Sequence, residues 1–159
     1  MNVPNRIFLK YILSFFLLTS LNAAEIEGTA RVVDGDTIEI KNNKIRLFGI
    51  DAPESNQTCQ NKYSISYKCG TVSTQKLENK INKQKIRCTY SERDRYQRIL
   101  GICFLDQIDI NKWLVRNGYA VAYQRYSKKY VSDQKDAERE QLGIWAGTFD
   151  LPENWRKKN

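Results

Sequence analysis

Between positions 34 and 54 the chain gathers the residue types that phosphate chemistry needs. Asp34-Gly35-Asp36-Thr37 stands where two short β-branched runs meet. Arg46 interrupts an otherwise apolar strand pattern, and Asp51-Ala52-Pro53-Glu54 follows where that pattern ends. Two aspartates, a backbone carbonyl and waters make a hard-oxygen donor set that suits Ca²⁺ or a similar cation. A third carboxylate, off the cation, could take a proton from water. An arginine could grip a phosphate oxygen through two parallel bonds and stabilise the charge that develops there. Each residue alone also has a plain structural reading. Asp-Gly is an ordinary turn dipeptide, Asp-Ala-Pro-Glu a loop leading toward a helix, and Arg46 a strand arginine with its head in solvent. The joint spacing is what points to chemistry.

Composition narrows the field. The chain has 159 residues and no histidine. That excludes a Ser-His-Asp triad, a Cys-His pair, a histidine-ligated metal hydrolase and a two-histidine acid–base pair. Hydrolysis would have to rest on carboxylates, arginine, lysine or tyrosine, or on a metal held through oxygen or thiolate. Lys plus Arg number 26 against 18 Asp plus Glu, a net +8 with a pI near 9.3. That excess suits an acidic partner such as nucleic acid or an anionic surface. Hydrophobic residues at 41 % and charged residues at 28 % are ordinary for one folded domain of this length.

The elements that must position these residues can be read from the patterning. Residues 29–33 and 37–40 read as short strands, Asn42-Asn43 as a hairpin turn, and 44–50 as a third strand. In that third strand Ile45, Leu47 and Gly49 face one way and Arg46, Phe48 and Ile50 the other. A polar loop spans 51–70. Val72, Leu77 and Ile81 predict a helix with Thr71 as its N-cap. Residues 85–90 and 99–105 read as a hairpin around a polar turn, 91–97. Residues 109–117 read as a helix closed by Gly118, and 131–142 as a third helix stopped by Gly143. The tail from Ile144 reads as irregular, with Trp145, Pro152 and Trp155 packed back onto the body. Three strands, a helix, two strands and two helices predict an α+β fold: a five-stranded OB-type barrel with three helices. A meander of the first three strands would bring Asp36, Arg46, Asp51 and Glu54 to one end of that barrel.

The N-terminus reads as targeting. Arg6 and Lys10 precede an apolar run from Tyr11 to Leu21, followed by Asn22, Ala23 and Ala24. This is the three-part layout of a secretory signal, and the run is short for a membrane span of about 20 residues. The expected organisation is a signal peptide over 1–23 and one domain over 24–159, with an uncleaved anchor as the alternative and cleavage after Ala23 or Ala24. The destination is then the periplasm or the medium. In an oxidising compartment four cysteines suggest two disulfides, and no CxxC knuckle supports a zinc site. Folding 85–90 against 99–105 sets Cys88 opposite Cys103, which leaves Cys59 to pair with Cys69.

These stretches resemble the staphylococcal nuclease (thermonuclease) family from about Gly28 to Trp145. The matching segments are V-V-D-G-D-T at 32–37, I-R-L-F-G-I-D-A-P-E at 45–54, D-R-Y-Q-R at 94–98, L-V-R-N-G-Y-A at 114–120 and L-G-I-W at 142–145. The chain is most similar to the secreted proteobacterial branch, through Thr58-Cys59…Cys69-Gly70, Cys88 with Cys103, and Trp145-Ala146-Gly147…Pro152…Trp155-Arg156. The resemblance implies a Ca²⁺-dependent nuclease of low sequence preference. It would cut DNA and RNA at the P–O5′ bond and leave 3′-phosphate ends. Carried over by motif, Asp36, Asp51 and the main-chain carbonyl of Ala52 would ligate Ca²⁺. Many relatives have threonine at that last position, which a backbone ligand tolerates. Glu54 would be the general base, Arg46 and Arg98 the phosphate clamps, and Asp34 a neighbour orienting the metal site.

Tyr96 and Tyr123 match tyrosines near the nucleotide in the family, where a flat ring could stack on a base of a single strand. Gln97 stands where the family often has glycine. No role is carried onto Arg125, because that match needs a gap. Tyr126, Lys128, Lys129 and Tyr130, with Arg156, Lys157 and Lys158, form basic stretches that could follow a polyanion or simply be solvated. The competing readings are a non-catalytic nucleic-acid-binding OB module and a disulfide-stapled surface protein. The intact set of charged residues favours the enzyme, acting as a monomer on DNA and RNA with no stable protein partner.

Overall fold

The computed structural model describes residues 24–158; the expected signal segment, 1–23, lies outside the described residues. The chain runs through β1 (Ala24–Thr29), β2 (Arg31–Asp34), β3 (Thr37–Ile40), β4 (Asn43–Leu47) and β5 (Ile50–Asp51). After β6 (Cys59–Gln60) and β7 (Ser66–Tyr67) comes α1 (Cys69–Ile81). Then follow β8 (Lys85–Arg93), β9 (Ile99–Leu105), β10 (Ile108–Asp109), α2 (Ile110–Arg116) and β11 (Val121–Ala122). α3 (Val131–Arg139), a 3₁₀ turn (Gly143–Ala146) and α4 (Pro152–Lys158) close the chain.

The main sheet has the order β1-β8-β9-β4-β3-β2, with β10 added to β9. Its pairs are antiparallel except β4 with β9, which run parallel. It curls into a half-barrel, the α+β arrangement expected of an OB-type fold. Two-residue alternation drives this. Ile38, Ile40, Ile45, Leu47, Ile86, Cys88, Ile99 and Cys103 all turn into one buried core, joined by Leu77 and Ile81 of α1 and Leu114 and Val115 of α2. The expected pairing of Cys88 with Cys103 follows from the register of β8 on β9, and Cys59 bonds Cys69 at the first residue of α1.

Four local differences have physical causes. β1 begins at Ala24, ahead of the expected strand, because all of it pairs with the part of β8 from Tyr90 to Lys85. The third strand does not run through to Ile50. Gly49 takes a left-handed φ of +78°, so the chain leaves the sheet there; Ile50 turns inward, and β5 pairs with β11. α1 starts at Cys69 without a side-chain cap, so Thr71 lies inside the helix and the disulfide anchors its start. The tail is not irregular but ends in a fourth helix, α4. Seven residues are too few to show a helical period, and Pro152 is suited to a helix's first position.

Candidate active site

The floor of the site is built by the β2–β3 turn and by β4. Arg46 sits opposite Thr37 in the β3–β4 register, and the Leu47 N–H donates to the Asp36 carbonyl at 2.8 Å. A register shift between Val32 and Asp34 bends the hairpin, and the Asp34 carboxylate accepts the Asp36 N–H at 3.1 Å. Gly35 is required here. A Cβ at that position would lie 2.6 Å from Ser73 Oγ and 2.8 Å from Ala52 Cβ, because α1 and the 51–54 segment close over the turn. The Asp36 carboxylate accepts from Arg46 Nη1, from the Thr37 hydroxyl at 3.2 Å and from the Ala52 N–H at 2.8 Å. The second arm of Arg46, Nη2, donates to Asp51 Oδ1 at 2.8 Å. One guanidinium thus bridges the two aspartates that the sequence singled out.

Both aspartates are out of water: Asp36 is 3 % exposed and Asp51 1 %. Burial pushes the Asp36 carboxyl up to about 7 against the pull of Arg46, and the charges of Asp34 and Asp51 add to the rise. Burial also works against the charge of Arg46, but Asp36 and Asp51 outweigh it and hold that guanidinium above its ordinary value. Buried carboxylate oxygens are a donor set that a hard divalent cation fits. Asp36, Asp51 and the Ala52 carbonyl are the candidates to hold it. Among the described residues, no group of three or more Asp, Glu, His or Cys side chains forms a metal cage.

Above this floor lies a cleft of about 850 Å³. Its walls bring together Asp34, Asp36, Arg46, Ala52, Glu54, Tyr96, Arg98 and Tyr123 from four separate parts of the sequence. Glu54 follows the floor by three residues, and its loop is pressed onto α1. A Cβ at Gly70 would lie 1.7 Å from the Glu54 carbonyl oxygen. Arg98 is held by Asp94, whose carboxylate accepts from Arg98 Nε at 2.8 Å and from the N–H groups of Tyr96 and Arg98 at 2.9 Å each. Burial opposes the Asp94 charge, yet these bonds keep its carboxyl below the usual range. Gln97 takes φ +64°, the left-handed conformation that favours glycine, and the turn still closes through Asp94 N–H to Arg98 C=O at 2.9 Å. Tyr96 is 64 % exposed, with the guanidinium of Arg95 4.8 Å and that of Arg98 5.6 Å from its ring centre. Tyr123 stacks edge-on with Tyr126 at 4.9 Å.

Three residues depart from the sequence reading. Arg156, read as part of a basic tail, reaches into the site from α4. Its Nη1 donates to Asp51 Oδ1 at 3.0 Å and to Glu54 Oε1 at 2.6 Å, and its Nη2 to Asp51 Oδ2 at 3.0 Å. Burial opposes its charge, but these bonds more than offset that and hold it above its ordinary value. The Trp-Arg ending of the tail was the one signal of this position. Gln57, completely buried, was missed; it links the Glu54 N–H to the Asp150 carbonyl. Tyr130 belongs to no basic track. It is buried, and its hydroxyl bonds the Asp109 carboxylate at 3.0 Å. Arg125 lines the cleft and pairs with Glu153 of α4 at 3.2 Å.

Residues 44–147 match the family described as staphylococcal nuclease homologue. Over 139 residues the chain is 40 % identical to a protein of Rhizobium meliloti (strain 1021) named succinoglycan biosynthesis protein ExoI, covering 84 % of this chain and 73 % of that one. It is 31 % identical to a Haemophilus influenzae protein named as an uncharacterized endonuclease, over 98 % of this chain and 88 % of the relative. It is also 32 % identical to a Shigella flexneri protein named micrococcal nuclease, over 89 % and 87 %.

Proposed function

The chain belongs to the staphylococcal nuclease homologue family, and we propose that it is an exported, Ca²⁺-dependent, sugar-nonspecific nuclease. It is a phosphodiester hydrolase whose substrates are nucleic acids. In this reading it acts as a monomer on DNA and RNA, prefers single strands and leaves 3′-phosphate ends. The observation that carries it is the bridge of Arg46 between two buried aspartates, under a cleft that also presents Glu54 and Arg98.

The family needs a metal ion. Held by Asp36, Asp51 and the Ala52 carbonyl, Ca²⁺ would supply positive charge beside the phosphoryl oxygens. The other steps fall to the chain's own groups. Glu54 has one carboxylate oxygen on Arg156; the other would take the proton of the attacking water. Arg46 and Arg98 would hold the phosphate and stabilise the charge gained in the pentacoordinate transition state. Tyr96 and Tyr123 would flank a base without reading its edge, which accounts for low sequence preference. Asp34 would act through the Asp36 turn that it holds.

Export rests on two supports: the signal-like residues 1–23, and two disulfides that fit an oxidising compartment. Among the described residues no helix is long and apolar enough to cross a membrane. The test follows digestion of single-stranded DNA and RNA with Ca²⁺ or with EGTA, using the disulfide-bonded chain. Rapid Ca²⁺-dependent loss of both, with 3′-phosphate ends, is expected. Salt-sensitive binding without cleavage would overturn the enzyme reading in favour of a binding module. Full activity in Glu54→Gln would remove the general-base role.

A further inference from the structure

Arg156 closes over the site from a part of the chain that the family match, ending at 147, does not cover. Its fork takes both oxygens of Asp51, and Arg46 shares the first of them. Two guanidinium groups thus cover Asp51, which is buried, at the edge of the cleft that Asp36, Ala52, Glu54 and Arg156 line. The same Nη1 that holds Asp51 also holds Glu54, so one planar group sets the spacing of the two carboxylates.

The arm is anchored. Pro152 of α4 is buried, the Asp150 carbonyl accepts from buried Gln57 at 2.7 Å, and Lys158 pairs with Asp150 at 2.9 Å. A tethered helix presents its side chain with less entropic cost than a free tail would. Positive charge on Asp51 must also be shared. A cation that coordinates this carboxylate needs an oxygen lone pair now engaged by Arg156, and it meets a like charge beside it.

We propose that Arg156 is a positioning residue of the nuclease site, holding Asp51 and Glu54 at their working separation while competing with the divalent cation for Asp51. This rests on the nuclease reading above, with Asp51 as a cation ligand. Its consequence is a division of effects that a purely structural arginine would not give. Removing the fork should make the cation bind better and the reaction run worse.

The test compares the disulfide-bonded wild type with Arg156→Gln, Arg156→Lys and Lys112→Gln. Lys112 of α2 pairs with Asp133 of α3, away from the cleft, so its variant loses equal charge without touching the site. Ca²⁺ binding is measured by calorimetry without substrate, and kcat and KM on single-stranded DNA at saturating Ca²⁺. In Arg156→Gln the Kd for Ca²⁺ is expected to fall about fivefold, the scale of one partly exposed charge pair. Its kcat should fall tenfold or more with KM nearly unchanged. Arg156→Lys, which keeps the charge without the fork, should lie between, and Lys112→Gln should match the wild type in both. Thermal melts report whether each variant is folded; should Arg156→Gln unfold, Arg156→Lys carries the same decision. Unchanged or weaker Ca²⁺ binding in a folded Arg156 variant, or an unchanged kcat, overturns the proposal. A wild type that neither binds Ca²⁺ nor cleaves overturns instead the nuclease-site reading beneath it.

Discussion

Replacing Gln57 by methionine should separate the wiring of the site from its charges. The side chain is completely buried; its Oε1 accepts from the Glu54 N–H at 3.1 Å and its Nε2 donates to the Asp150 carbonyl at 2.7 Å. Methionine has nearly the same volume and no group that can replace either bond, so the cavity contribution stays small. The loss is then polar. One backbone donor and one backbone acceptor lose their partner, at about 1–1.5 kcal/mol each, or about 2–3 kcal/mol in all. For a domain of this size that corresponds to a fall in Tm of roughly 10 °C. Urea unfolding followed by tryptophan fluorescence, with both disulfides intact, should show this loss with an unchanged m-value. Activity should fall too, because Gln57 ties the Glu54 backbone to the segment that carries Arg156. A loss below about 0.5 kcal/mol with wild-type kcat would refute the claim that this residue joins the two halves of the site.

Arg98→Lys keeps the charge but loses the planar fork, so turnover on DNA should drop about 10²–10³-fold, while unfolding stays close to wild type because lysine keeps a charge beside Asp94 and such a half-buried surface pair contributes about 1 kcal/mol; turnover within threefold of wild type would remove Arg98 from the site. Arg46 is a less clean test, since its loss also strips the counter-charge from buried Asp36 and leaves Asp51 with Arg156 alone. Valine at both Cys88 and Cys103, which are 15 residues apart, should cost about 3 kcal/mol in urea unfolding. Opening Cys59–Cys69, with a separation of 10, should cost about as much and also lower kcat, since that bond anchors α1 beneath the Glu54 loop. Burial, and then the charge of Asp109, holds the proton on Tyr130 well above its ordinary range. The folded protein therefore binds that proton more tightly than the unfolded chain. Its contribution is fully present below about pH 10 and is lost as pH rises beyond it. Tyr130→Phe should show a shallower loss of stability in alkaline unfolding, and an identical alkaline slope would remove this contribution.

Much of the molecule was legible because its signals are local. Strand alternation in 37–47 and 99–105 placed the core face and left Arg46 on the other side of its strand. A polar turn between two strands set Cys88 against Cys103 before any contact was known. The spacing from Asp34 to Glu54 spans one hairpin and the loop after it, so nearest-neighbour pairing brings those residues together. The features that escaped depend on meetings far along the chain. Arg156 finds Asp51 across 105 residues and Gln57 finds Asp150 across 93, with no periodicity in a seven-residue helix to announce either. Tyr130 sits among lysines yet enters the core, because only packing between α2 and α3 supplies the partner, Asp109, for its hydroxyl. Residue identity determined which groups could hold a cation, move a proton or grip a phosphate. The tertiary structure decided which of them share a charge, because an ion pair depends on distances of a few ångströms that hydrophobic patterning does not encode.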